Sequence, residues 1–228
     1  TAVLPPYKRI VFDEAHGIED SATSFFSSSI NRFKILKQLN LMYRSRRGAV
    51  SGLLFTLMAL SLSQENSDEL IELINQIKTS IASLDEKALS LLEREYTLRL
   101  FKNTAEAFVN VLHEMTVLQK YIVRFTTQVR KLFDLIPEDA KDSPVLYESK
   151  SVLRRLEDIA LVLGNFSAWA EHTDYVFWIQ KGRFNGSKGD ENLNYVQFFQ
   201  TPLDIAPTMN KGVFEPMSSV VCTSATLS

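Results

Sequence analysis

The chain has 228 residues, 45% hydrophobic and 23% charged, so it can bury a core and is long enough for one large domain or two small ones. Its formal net charge of -2 gives no general indication of nucleic-acid binding. The single cysteine, Cys222, excludes an internal disulfide framework and a cysteine-rich metal site within this chain, and it favours a reducing, cytoplasmic setting.

The first predicted element is a short buried strand, Ile10 to Phe12, which is followed directly by Asp13 and Glu14. Ligands of open α/β sheets bind at the carboxyl ends of the strands, so these carboxylates are placed to hold a metal on a phosphate. The alternative is that the two acids cap the N-terminus of a helix, where they would meet the positive end of its dipole.

A basic segment follows, because there is no acidic residue between Ser21 and Gln64. Its cations are Arg32, Lys34, Lys37, Arg44, Arg46 and Arg47. If one helix runs through the segment, helical spacing aligns Lys34, Lys37, Arg44 and Arg47 on one face. Such a face can track DNA phosphates, with Phe33, Tyr43 and Phe55 offering stacking surfaces. The alternative is an ordinary solvated helix face whose aromatic residues lie in the core.

The run AVSGLLFTLMALSL, residues 49–62, has only 14 residues and is too short to cross a bilayer, so we expect a buried helix there. From residue 21 to about residue 170 the sequence predicts an almost wholly helical body.

Two stretches of this body place apolar residues at heptad steps of three and four. The first contains Leu70, Ile74, Ile77, Ile81, Leu84, Ala88, Leu91 and Leu98, and the second contains Phe101, Ala105, Phe108, Leu112, Met115, Ile122, Val129, Leu132 and Ile136. These stripes indicate either general core or a long antiparallel helical hairpin that turns between Tyr96 and Thr104. After a break at Pro137 and Pro144, one more amphipathic helix is expected.

Beyond Ala170 the residues DYVFWI and NYVQFF predict two strands joined by a polar, glycine-containing loop. The last predicted strand, Ser219 to Cys222, is again short and buried, with Cys222 as a small core residue. The chain thus begins and ends with strands, as expected of a helical insertion into an α/β domain.

The residues VFDEAH, followed about two hundred residues later by VVCTSATLS, resemble motifs two and three of superfamily-two helicases. The long helical segment between them and the TPLDIAP stretch are similar to the DinG/XPD type, and SATL leans toward the bacterial DinG branch. The resemblance implies a mainly α-helical, arch-like insertion (21–170) emerging from part of a RecA-like α/β motor domain with a few parallel strands (1–20 and 171–228). It implies an ATP-dependent DNA helicase whose arch embraces single-stranded DNA.

The resemblance also implies roles for single residues. Asp13 matches the aspartate that holds Mg²⁺, Glu14 matches the residue that polarises the attacking water, and His16 matches the position that couples nucleotide state to neighbouring motifs. Ser224, Ala225 and Thr226 match motif three. The two motif strands are expected to lie side by side and parallel, which would place Asp13 and Thr226 at one sheet edge.

No GxxxxGK[ST] phosphate loop occurs in the sequence, so we expect the chain alone not to hydrolyse ATP although its parent helicase would use ATP and Mg²⁺. The family often carries an iron–sulfur cluster on cysteines that precede the DEAH motif, and none is expected within this chain. The second class of function that the sequence leaves open is a helical protein-interaction scaffold without nucleic-acid binding.

Overall fold

The computed structural model describes residues 7–46, 48–61, 67–184 and 193–225 and shows a mixed α/β fold. The helices are α1 (Ile18–Phe26), α2 (Arg32–Met42), α3 (Leu53–Leu60), α4 (Ser67–Leu92), α5 (Ala105–Asp134), α6 (Pro144–Ser167) and α7 (Ala206–Met209). The strands are β1 (Arg9–Phe12), β2 (Ser28–Asn31), β3 (Arg44–Arg46), β4 (Ala49–Ser51), β5 (Thr97–Leu100), β6 (Tyr175–Phe184), β7 (Leu193–Pro202) and β8 (Ser219–Cys222).

The three long helices α4, α5 and α6 form a bundle in which neighbours in sequence pack side by side. Ion pairs join Lys87 near the end of α4 to Glu114 near the start of α5, and Glu69 at the start of α4 to Arg124 farther along α5. Helices α4 and α5 are therefore antiparallel, which confirms the helical hairpin predicted from the heptad spacing.

Most of the predicted heptad positions lie in the core, because steps of three and four keep one stripe of each helix facing its neighbours. The buried stripe residues are Leu70, Ile74, Ile77, Ile81, Leu84, Ala88, Phe108, Met115, Ile122, Val129, Leu132 and Ile136. The pattern does not mark the helix ends, since Leu98 lies on β5 and Phe101 precedes α5.

A four-stranded antiparallel sheet with the order β2-β7-β6-β5 packs against one side of the bundle. The predicted hairpin is confirmed, because β6 and β7 pair along their length in antiparallel register. Phe177, Ile179 and Phe198 are buried on the face toward the bundle, where Phe166 of α6 meets Phe177 edge-on at 4.9 Å between ring centroids.

The hairpin lies in the sheet of the helical body, with β2 and β5 as its neighbours, and not beside β1 and β8. Residues 21–170 are also less helical than the sequence indicated, because they contain the four short strands β2 to β5. Strands β2 and β5 have only four residues each, too few for a clear period-two pattern.

Asp85, on α4, joins the bundle to the sheet. Its carboxylate accepts hydrogen bonds from the Val196 N–H of β7 at 2.8 Å and from Arg32 at the start of α2 at 3.0 Å. The Asp85 side chain is 5% exposed and that of Arg32 is 19% exposed, so the ion pair is largely withdrawn from water. Burial raises the pKa of Asp85, an effect that the Val196 N–H and the Arg32 guanidinium oppose.

Strands β1 and β8 form a separate two-stranded parallel sheet, in which Ile10, Val11 and Phe12 lie opposite Val220, Val221 and Cys222. The predicted parallel pairing of these distant strands is confirmed.

The prediction that both strands are buried is wrong. Val11 is 66% exposed, Val221 is 47% exposed, and Cys222 is exposed and is not a core residue. Apolar composition indicated burial because parallel strands are ordinarily covered on both faces, but two strands alone shield little of each other.

The apolar run 49–62 is divided between β4 and α3, with Leu54 and Leu57 buried on the helix. Among the residues that the structure describes, no helix is both long and apolar enough to cross a membrane.

Replacing Asp85 by alanine is expected to lower the free energy of unfolding by about 3 kcal/mol. The change leaves the partly buried Arg32 guanidinium and the buried Val196 N–H without a hydrogen-bond acceptor. Asp85→Asn retains an acceptor for the Val196 N–H and should cost less. Urea unfolding monitored by circular dichroism measures both. Glu86→Ala, at an exposed position beside it on α4, serves as the control and should change stability by less than about 0.5 kcal/mol. Equal stability of all three variants would contradict the role given to Asp85.

Candidate functional site

The DEAH residues occupy a tight turn between β1 and α1. Asp13 follows β1, Glu14 adopts a left-handed backbone conformation with φ 53° and ψ 48°, and a 3-10 turn over Ala15–Gly17 leads into the helix. A left-handed conformation costs a residue other than glycine about 1 kcal/mol, so the surrounding contacts hold Glu14 in place. Glu14 is the N-cap residue of the 3-10 turn, but its side chain makes no capping hydrogen bond. Gly17 is the N-cap of α1, so the alternative that the side chains of Asp13 and Glu14 cap this helix is wrong.

Backbone hydrogen bonds join this turn to the segment that follows β8. The Thr223 N–H donates to the Phe12 carbonyl at 2.8 Å, and the Ala15 N–H donates to the Thr223 carbonyl at 2.9 Å. The β1–β8 ladder therefore continues past the strand ends and fixes the two loops relative to each other.

Side chains of the two loops are also in contact. The Thr223 hydroxyl donates to Oδ1 of Asp13 at 2.8 Å, and Nδ1 of His16 lies 3.0 Å from the Ser224 hydroxyl and 3.1 Å from Oε2 of Glu14. His16 thus bridges the first loop to the second, and Thr223 orients the first carboxylate.

The structure brings together Asp13, Glu14, His16 and Ser224, with Ala225 next to Ser224 in the chain. Thr226 lies outside the described residues, so its expected place at this edge is not addressed. Sequence reasoning missed Thr223, although its position directly after β8 mirrors that of Asp13 directly after β1 and could have indicated it.

An open cleft of about 630 Å³ lies beside this sheet edge. Asp13, Glu14 and His16 line its polar part, and apolar side chains that include Phe25 of α1 and Met209 of α7 line the rest. The cleft therefore combines a small polar edge with a larger apolar wall, as ligand sites commonly do.

The donor set at this edge fits a magnesium ion. Asp13 and Glu14 offer hard carboxylate oxygens, and Mg²⁺ is usually bound through one or two carboxylates while it keeps several waters. Within the described ranges no cluster of three or more histidine, cysteine or acidic side chains has the geometry of a metal centre.

The predicted cations are spread over two elements. Lys34 and Lys37 lie on α2, whereas Arg44 lies on β3 and Arg47 falls outside the described residues. The expectation of one helix through all four is wrong, because α2 ends at Met42 and the backbone is extended from Tyr43. Arg32 is engaged with Asp85, while Lys37 and Arg44 are exposed.

No model of a known protein family matches the chain, and no curated protein matches it significantly.

The exposure of β8 predicts that Cys222 reacts freely in the folded protein, since it is the one thiol in the chain and lies at the surface. One equivalent of an aromatic disulfide reagent should be consumed at a rate close to that of the urea-unfolded chain. The Cys222→Ser variant gives the background rate. Labelling that occurs only upon unfolding would contradict the exposed position of β8.

Proposed function

We propose that this chain is the part of an ATP-dependent DNA helicase of the DinG/XPD type that contains motifs two and three, acting in the cytoplasm. The observation that carries the proposal is the pairing of the two motifs across one parallel sheet edge. Thr223 and Asp13 are 210 residues apart in sequence, and His16 and Ser224 are 208 apart, yet each pair is in hydrogen-bond contact.

Each residue at this edge has a chemical task in the proposal. Bound Mg²⁺ would neutralise the charge that develops on the β and γ phosphates during transfer. Asp13 would hold the ion, and the Thr223 hydroxyl keeps that carboxylate in one orientation. Glu14 orients the attacking water and accepts its proton.

His16 supplies the link between hydrolysis and motion. Its Nδ1 is within hydrogen-bond distance of both the Glu14 carboxylate and the Ser224 hydroxyl. A displacement of the loop after β8 would therefore be transmitted through the imidazole to the group that positions the water. This is the type of coupling that a DNA-driven motor requires between its strand-contacting and nucleotide-contacting loops.

The helical body serves in this proposal as an arch that closes over single-stranded DNA. The exposed cations Lys37 and Arg44 of the basic segment would contact phosphates together with Lys34 and Arg47. Neutralising phosphates releases condensed counterions, so this contact would weaken steeply as salt rises.

In the helicase that contains this chain, Glu14→Gln is expected to leave nucleotide binding in place and to slow DNA-stimulated ATP hydrolysis by about 100-fold or more, because the amide cannot accept the proton of the attacking water. Phosphate release and the affinity for a fluorescent nucleotide measure the two effects.

Glu19→Gln is the matched control, since this acid lies exposed in the first turn of α1 and outside the contacts of the sheet edge. Wild-type hydrolysis by Glu14→Gln, with Glu19→Gln also unchanged, would contradict the role of Glu14 and with it the helicase assignment.

The double reversal Lys37→Glu with Arg44→Glu should weaken binding of single-stranded DNA and reduce the slope of log K against log salt by about two, one for each lost phosphate contact. Fluorescence anisotropy over a salt titration measures both quantities.

The control is Lys102→Glu with Lys120→Glu, which makes the same change in net charge at exposed positions beside and on α5. Equal loss in the two double variants would show a general charge effect. Unchanged binding in both would favour the protein-interaction scaffold instead.

A further inference from the structure

The four-stranded sheet has a second face, directed away from the bundle. Along β6 and β7 the residues alternate between buried and partly exposed, as in a sheet packed on one side only. Trp178 and Gln180 of β6 and Gln197 and Phe199 of β7 belong to the partly exposed set. We call this surface the outer face.

Aromatic rings lie at the centre of the outer face. Trp178 and Phe199 are cross-strand partners whose rings stack with centroids 4.0 Å apart and planes 7° from parallel. The Trp178 indole N–H donates to the Thr201 hydroxyl at 3.3 Å, which fixes the orientation of the ring. A base that continues this stack would meet a π surface whose orientation is fixed.

A second aromatic pair lies farther along the hairpin, beyond the Gln180–Gln197 pair. Tyr195 lies across from Gly182 and packs edge-on against Phe33, with ring centroids 5.0 Å apart. A Cβ at position 182 would come within 2.4 Å of the Tyr195 ring, so glycine allows this ring to lie against the backbone of β6.

The charge on the four strands has one sign. None of β2, β5, β6 and β7 contains an aspartate or a glutamate, and Arg99 of β5 is a cation on the outer face, since it lies opposite Trp178. Lys34 adds a further cation beside β2, where its ammonium donates to the Ser29 carbonyl and hydroxyl, each at 2.7 Å. Both acceptors are neutral, and burial lowers the pKa of Lys34.

The strand register orders these groups in one row across the sheet. Ser29, whose carbonyl and hydroxyl accept from Lys34, lies opposite Phe199. Phe199 lies opposite Trp178, and Trp178 lies opposite Arg99. The row therefore runs cation, ring, ring, cation over a width of about 14 Å, three spacings of neighbouring strands. Cations that flank stacked rings match a single nucleic-acid strand, whose bases stack while its phosphates lie to the side.

We propose that the outer face binds single-stranded DNA, with bases stacked on the Trp178–Phe199 pair and phosphates contacted by Lys34 and Arg99. One class of RNA-binding domain stacks two or three bases on aromatic residues of the open face of a four-stranded sheet. Gln180 and Gln197 offer amide groups to base edges. The choice of DNA rests on the proposed helicase function, whereas the row of rings and cations does not.

The test measures binding of the chain to a fluorescein-labelled dT oligonucleotide of about 12 nucleotides by anisotropy at low salt. Arg99→Glu should weaken binding by roughly ten-fold and flatten the salt dependence by a slope of about one. Trp178→Leu, which removes the stacking surface, should also weaken binding by roughly ten-fold. Circular dichroism confirms that each variant folds.

Matched controls lie on α6, on another surface of the molecule. Arg154→Glu changes an exposed cation and Tyr147→Leu an exposed aromatic ring, and neither should alter binding by more than about two-fold. An oligonucleotide carrying 5-iododeoxyuridine should crosslink to peptides that contain Trp178, Tyr195 or Phe199.

Wild-type affinity of Arg99→Glu and Trp178→Leu, or crosslinks that map only to other surfaces, would overturn the proposal. Tighter binding of a uridine oligoribonucleotide than of dT would overturn its assignment to DNA. If only the Lys37→Glu with Arg44→Glu variant lost binding, the outer face would not be the DNA contact. The helicase proposal would still stand, with its DNA contact on the basic segment. The effect of Glu14→Gln on ATP hydrolysis does not depend on the outer face, so the two proposals can fail separately.

Discussion

The pairing of β2 with β7 is the constraint on which the candidate site depends. Ser28 lies opposite Gln200 in this ladder, and the adjacent hydroxyls of Ser27 and Thr201 are 3.1 Å apart. The chain runs from β1 through α1 to β2, and from β7 through α7 back to β8. The end of α1 and the end of β7 therefore lie next to each other. Bringing together segments more than two hundred residues apart carries a loop-closure cost that grows with the logarithm of the loop length. Once the helical body has folded, the ends of α1 and β7 are already held together. Only the short segments between the two sheets still have to be ordered for β1 and β8 to pair.

The strained turn at Glu14 is stabilised by the same arrangement. Its left-handed backbone lies between two hydrogen bonds to Thr223, one from the Thr223 N–H to the Phe12 carbonyl and one from the Ala15 N–H to the Thr223 carbonyl. Neighbouring structure that over-determines a backbone conformation allows such strain to persist, and it commonly does so at functional sites. Positioning of the carboxylate therefore depends on β8 as much as on the DEAH residues themselves.

The sequence was sufficient to predict an element or a strand pairing where the apolar pattern was long or a motif directly followed a strand. Heptad spacing identified the two longest helices, and two separated motifs correctly indicated that β1 and β8 are parallel neighbours. It was insufficient where four residues decide the element, as in β2 and β5, since Leu98 satisfies a helical stripe and a strand equally well. Burial of β1 and β8 was inferred from composition, which reports how apolar a strand is and not what covers it.

Periodicity also could not predict polar contacts between residues that are far apart in the sequence. Asp85 sits within a helical stripe as one acid among several, and only the approach of Arg32 and Val196 distinguishes it. Thr223 is an ordinary residue after a strand until its hydroxyl is seen to meet Asp13. Spacing along one element predicts which face a residue occupies, whereas the identity of its partner depends on the tertiary fold.

The length of α4 has a mechanical consequence. The helix has 26 residues and extends roughly 39 Å, and its last turns are joined to the sheet at Asp85 while its first turn lies at the opposite end of the bundle. The first turn lies roughly 27 Å along the helix from Asp85, so a tilt of about 10° about that joint displaces the first turn by roughly 5 Å. A small change in the angle between α4 and the sheet therefore moves the first turn of α4 by about the length of a side chain.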